Sequence, residues 1–241
     1  MKLFKKVLAG VAVAAALATS AQASMITVGG VTWDPDSIFD FTAKFDFSQW
    51  FVGDTLTGVG EFYKLNNTGP SVFVPNGELT FQFGGFAIDG QGGFSNGWLN
   101  VFYGTGATDN FDVGTTPTDV VKATDGTLWL SLTATSNQFV TDIPNASNPY
   151  LSGQLTANWN VVTGVGSAWS NLDTNGQALG TDIFSRASAT FNLVDPSLGN
   201  LAWNGPNGSL VGNSIPEPES LALVGLGLLG LAAARRRKAA K

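Results

Sequence analysis

The sequence predicts an all-β exported domain. It reads as an antiparallel β-sandwich or jelly-roll-like body, with an N-terminal signal peptide before it and a single C-terminal transmembrane helix after it. Three observations predict this. Apolar and polar residues alternate with period two in several runs, the mark of strands with one buried face. Asn-Gly and Asp-Gly pairs punctuate those runs. Short apolar stretches with basic flanks stand at both extremes of the 241-residue chain.

The elements follow in chain order. Lys2, Lys5 and Lys6 precede an apolar run from Val7 to Ala18. Small residues at Ala21 and Ala23 then predict signal-peptidase cleavage after Ala23, so residues 1–23 are a signal peptide. The exported body is expected over 24–203. Between Phe39 and Phe47 the odd positions are Phe39, Phe41, Ala43, Phe45 and Phe47, and the even ones Asp40, Thr42, Lys44 and Asp46. Weaker alternation occurs over Leu79–Phe83, Leu128–Ala134, Leu155–Val161 and Ala187–Leu193. Val59–Leu65 and Trp98–Tyr103 read as strands apolar on both faces. Turns are expected at Asn76-Gly77, Asp89-Gly90, Asn96-Gly97, Asp125-Gly126, Asn175-Gly176 and Asn207-Gly208. Residues 204–220 read as a Gly/Asn/Ser-rich linker ending in a proline motif. Residues 221–234 read as the transmembrane helix and 235–241 as a basic cytoplasmic tail.

Charge placement sets a topology. Eight of the twelve basic residues lie in the two terminal segments. The body and linker carry four basic residues, Lys44, Lys64, Lys122 and Arg186, against all 18 acidic ones. Positive residues beside apolar segments stay cytoplasmic, so both ends stay inside while the acidic middle crosses. That acidic balance disfavours nucleic acid, a polyanion. The chain has no histidine and no cysteine. His-dependent triads, thiol nucleophiles, and His- or thiolate-ligated metal sites are therefore excluded. Its core must also suffice without disulfides.

The last 27 residues carry the sharpest motif. Pro216, Glu217 and Pro218 form a stiff, extended, acidic stretch, since proline fixes φ and biases its predecessor toward extended backbone. The 14 apolar residues Leu221–Ala234 follow, long enough for roughly 21 Å of helix. A bilayer core usually wants about 20 residues. Arg235, Arg236, Arg237 and Lys238 close the run. A short anchor beside an extended motif reads as a handle made to be removed. These three parts, in this order at the C-terminus, resemble the PEP-CTERM sorting signal of Gram-negative bacteria, a tail also described as an ice-binding-protein C-terminal segment. The resemblance implies recognition by exosortase, a processing enzyme of the inner membrane. It implies transient anchoring, then release to the cell surface or the extracellular matrix of biofilm and exopolysaccharide.

Candidate chemistry in the body is sparse. Glu61 and Glu78 are its only glutamates and the pair a carboxylate-based glycan hydrolase would need. Asp34-Pro35-Asp36 and Asp173-Thr174-Asn175-Gly176 put oxygen donors together in loops and are candidate calcium ligands; no other cofactor is expected. Strict alternation turns Trp129 away from Leu128, Leu130 and Leu132, making it the candidate outward ring for stacking on a sugar. The reading is a non-enzymatic surface or matrix protein. A carbohydrate-binding module using exposed aromatics is the alternative, and the hydrolase a second one.

Overall fold

The structure is a computed structural model that describes residues 25–37, 40–53, 55–88, 94–116, 118–142, 150–192 and 207–215. It is built from antiparallel strands. A small hairpin pairs β1 (Ile26–Val28) with β2 (Val31–Trp33). Eight longer strands follow: β3 (Phe41–Val52), β4 (Thr55–Leu65), β5 (Gly77–Ile88), β7 (Trp98–Thr105), β8 (Thr127–Asp142), β9 (Tyr150–Val161), β10 (Ile183–Asn192) and β11 (Asn207–Gly212). A two-residue strand, β6 (Phe94–Ser95), pairs with the end of β5. Three short helices lie in connections: α1 (Pro70–Phe73), α2 (Val120–Thr124) and α3 (Trp169–Leu172).

Each long strand pairs with the next long strand in sequence, and β11 returns to pair with β3. The circuit β3-β4-β5-β7-β8-β9-β10-β11-β3 is therefore closed. The all-β, antiparallel expectation is found. The two packed sheets of a sandwich are not: one sheet curls into an eight-stranded, barrel-like ring. Period-two alternation fits either arrangement, because both bury one face of every strand. Which strands become edges is decided by long-range pairing, and here closure leaves no long strand unpaired.

The predicted runs fall within strands, except that β3 begins at Phe41, two residues into its run, and that Phe39 and Leu193 lie outside the described residues. In β3 the inward residues Phe41, Ala43, Phe45 and Phe47 are buried. They meet Phe62, Phe81, Phe83, Phe86, Leu99, Leu132, Trp159 and Leu210 from the other strands in one core. Phe45, Phe62 and Phe81 touch with ring centroids 5.1–5.7 Å apart. Glycines make room for these rings. A Cβ on Gly60 would stand 2.4 Å from the Phe81 ring, so the ring packs directly on backbone. At the turns Asn76, Asn96 and Asn175 adopt positive φ, as the Asn-Gly pairs predict.

Antiparallel order gives the barrel two ends. At the base lie the β1–β2 hairpin, the connections 66–76, 106–126 and 162–182, and the exit of the chain after β11. Phe73, Val74, Ala168, Leu172, Ile26, Val31 and Trp33 are buried there, in the same core as the lumen phenylalanines. The base is thus plugged by its own loops. The rim carries the opposite connections, including the β3–β4 turn at Gly53.

One boundary is corrected. The expected linker 204–220 contains β11, whose six residues pair with β10 on one side and β3 on the other. Asn207-Gly208 is consequently strand and not a turn. Gly, Asn and Ser suit this strand because Gly208 packs against the Phe45 ring, where a Cβ would lie 2.2 Å away. The signal peptide, the apolar run 221–234 and the basic tail lie outside the described residues. Among the described residues no helix is long and apolar enough to cross a membrane.

Candidate functional site

The fold is tied down at the last residues before the proline motif. After β11 the chain reaches the base, where Ser214 gives both its backbone N–H and its hydroxyl to the Asp40 carboxylate. Trp33 Nε1 donates to Ser214 Oγ at 3.1 Å. Ile215 N donates to the carbonyl of Asn171 at 2.7 Å, and Asn171 Nδ2 returns a bond to the Ile215 carbonyl at 3.3 Å. Gln177 Nε2 donates to Asn213 Oδ1 at 2.6 Å. The three residues following β11 are thus held by side chains and backbone from β2, the β2–β3 connection and the connection 162–182. No local pattern in the sequence signals this latch, since Asp40 and Ser214 stand 174 positions apart.

The predicted processing residues extend past it. Pro216, Glu217, Pro218, Arg235, Arg236, Arg237 and Lys238 lie outside the described residues, as do Ala21 and Ala23.

Trp129 is corrected outright: it is 1% exposed. The β7–β8 ladder carries a β-bulge between Val101 and Phe102, opposite Leu130 and Leu128, which leaves Trp129 as the extra residue. A bulge breaks strict alternation, and Trp129 joins Leu130 in the core. Its ring stacks near Phe41 and meets Trp33 edge-on at 5.8 Å. Its Nε1 donates to the Val28 carbonyl at 2.8 Å. The five other described tryptophans, Trp33, Trp50, Trp98, Trp159 and Trp169, are buried or half-buried as well.

Glu61 and Glu78 do come together. Glu61 on β4 faces Thr80 on β5, and Glu78 stands two residues from Thr80 on the same outer face. The connection 106–126 folds over them, with Val59, Phe111 and Ala123 forming a small core beneath it. Phe111 N donates to Glu78 Oε2 at 3.0 Å, and Val113 N to Glu61 Oε1 at 3.4 Å. Burial raises both carboxyls above their ordinary range. Glu78 reaches about 7, with the Phe111 and Asn110 amides pulling down and Asp109 and Glu61 adding to the rise. For Glu61 burial dominates, the Val113 amide opposes it, and Asp112 and Asp46 reinforce it. Two carboxyls with shifted values is what acid–base chemistry wants. Glu78, however, is 8% exposed and occupied by loop amides, so the pair sits under a flap and not in a cleft.

The candidate calcium loops spend their oxygens on turns. Asp34 Oδ1 accepts from Asp36 N at 2.9 Å, and Asp173 Oδ2 from the Thr163 hydroxyl at 3.1 Å. Asp182 Oδ1 accepts from Thr174 N and Asn175 N. Among the described residues no three acidic side chains are grouped to hold a metal ion.

The lumen is a core. A residual cavity of about 50 Å³ lies among Phe45, Phe47, Phe81, Phe83, Phe86 and Trp159. A benzene-sized guest needs an apolar cavity of about 150 Å³. This agrees with eight strands enclosing just enough room for side chains.

A search of curated proteins and a search of solved structures found no match to the chain. One family model matches: the PEP-CTERM protein-sorting motif, over residues 214–238. The match begins at Ser214, the latched residue, and takes in Pro216–Pro218, the apolar run and the basic cluster. Such a motif implies processing by exosortase, a membrane enzyme, and export with transient anchoring before surface display. The barrel thus belongs to a PEP-CTERM sorting domain-containing protein, and the matched motif begins at the latched Ser214.

Proposed function

We propose that this chain is a non-enzymatic exoprotein of a Gram-negative bacterium, a closed barrel displayed at the cell surface or in the biofilm matrix once its tail is removed. The observation that carries the reading is the absence of slack between cargo and signal. Ile215 is bonded to the barrel base, and only residues 216–220 separate it from Leu221. Five residues span at most about 18 Å. While anchored, the barrel therefore stands with its plugged base toward the membrane and its rim away. The β1 strand starts at Ile26, two residues after Ser24, the first residue left by the expected signal cleavage, and it too packs at the base. Both export signals leave from the membrane-facing end.

The buried Trp129 supports display over sugar stacking through tryptophan. The flap over Glu61 and Glu78 supports a structural role for the pair over glycan hydrolysis. Mass spectrometry of the mature protein from the native host tests the reading. The expected product begins at Ser24 and ends at or after Ile215, without Arg235–Lys238. A mature protein that still ends at Lys241 would overturn the processing step.

A further inference from the structure

Outside the latch and the glutamate flap, the charges of the barrel wall are distributed in a way the sorting motif does not require. Lys44, Lys64 and Arg186 are three of only four basic residues between the two terminal signals. Pairing register brings them into one row. Lys64 on β4 stands directly opposite Lys44 on β3; Lys44 opposes Ser209 on β11; Ser209 opposes Arg186 on β10. The row crosses four neighbouring strands on the outer wall, roughly 15 Å at the usual strand spacing.

Like charges directly opposite each other on a sheet destabilise it. Among the described residues the one ion pair joins the fourth cation, Lys122, to Asp119 at 3.7 Å, and no carboxylate lies within 4 Å of the other three.

The row also has shape. Ser209 is small and, with the Gly208 backbone, floors a depression of about 270 Å³ between the long side chains of Lys44 and Arg186. Tyr63, Gln154, Ser188 and Asn207 complete its wall. Tyr63 is there because a β-bulge between Lys44 and Phe45 leaves it as the extra residue opposite them. The depression is thus lined by a guanidinium, an ammonium, two carboxamides, two aliphatic hydroxyls and one phenol. Asp46, two residues beyond Lys44 on the same face, bounds it on one side.

We propose that this depression binds an acidic sugar residue of a carboxylated polysaccharide. Arg186 and Lys44 would hold the carboxylate, Arg186 through its planar fork. The amides and hydroxyls would meet the sugar hydroxyls, and Lys64 would contact the next acidic unit along the chain. A bare phosphate would use the cations and leave the amide and hydroxyl wall idle. The barrel's net negative charge opposes long-range approach of a polyanion. At physiological ionic strength that field is screened within about 8 Å, so recognition acts at contact range.

The test is affinity electrophoresis of the secreted protein at about 0.1 M salt, in gels containing polygalacturonate, neutral dextran or no polymer. Polygalacturonate is expected to retard the wild type and dextran is not. Arg186→Gln and Lys44→Gln should each weaken retardation about tenfold, and Lys64→Gln by less. All three keep their melting temperature or raise it, because each relieves like-charge repulsion. Lys122→Gln, which removes the same charge elsewhere, should behave as wild type. Equal loss in Lys122→Gln, or no retardation of the wild type, overturns the site. So does binding to phosphatidylglycerol vesicles in a flotation assay without binding to polygalacturonate, because it would make the row a lipid contact. The inference goes beyond the export reading, and its failure would leave the masses of the mature ends untouched.

Discussion

Glu78 shows how a single residue changes meaning when its cover is known. As a sequence position after Asn76-Gly77 it reads as a solvated strand end. In the fold the 106–126 connection lies over it and burial lifts its carboxyl to about 7 from an ordinary 4.5. The native state thus holds the proton more tightly than the unfolded chain does. The stabilisation is complete below about pH 4.5 and is lost as pH rises through about 7. Glu61, shifted in the same direction, adds to it. We expect melting temperature to fall between pH 5 and pH 8, and Glu78→Gln to flatten that fall by an amount on the order of 1–2 kcal/mol. A thermal melt series at both pH values reads the difference. An unchanged slope in the variant would assign the pH dependence to other groups. Trp129 carries the opposite lesson. Its residue type was legible, but its direction was not, because a β-bulge in its own strand, with Trp129 as the extra residue, resets the alternation.

At the scale of elements, β11 is the part sequence reading assigned to a linker and structure assigned to the wall. Asn207-Gly208-Ser209 carries no hydrophobic alternation and looks like a spacer. Its neighbours β10 and β3 have open ladder positions, and six backbone pairs on each side compensate for weak local propensity. Leu210 alone anchors it in the core, at 1% exposure. The strand should therefore fail through sterics before it fails through propensity. Gly208→Val places a side chain against the Phe45 ring and the Arg186 carbonyl. We expect a loss of about 1–3 kcal/mol, seen as a drop of several degrees in melting temperature. A neutral variant would show that β11 does not pack as described. By the same pairing, we expect a cut upstream of β11 to remove one of eight staves and destabilise the barrel. The other strands were easier to read, because rows such as Phe41, Phe45 and Phe47 announce a buried face by themselves.

For the whole molecule the main consequence is orientation. The chain contains no cysteine, so one introduced thiol is a unique reporter. Val52 at the rim is 63% exposed and Leu179 at the base is 80% exposed. In cells that accumulate the anchored precursor, a membrane-impermeant maleimide should label Val52→Cys readily and Leu179→Cys poorly. After tail removal both should label alike. Equal labelling in the precursor would refute a base-down barrel. The sequence by itself determined the sorting motif and the all-β, antiparallel character, and it predicts the signal peptide and the side of the membrane. These rest on local composition, charge order and period-two alternation, all of which survive without a fold. Only the tertiary structure decided that the sheet closes, that β11 is a stave, that Ser214 is latched to Asp40, and that three scattered cations form one row. Each of those depends on pairing between residues far apart in the chain, and alternation specifies which face is buried without specifying which strand lies beside it.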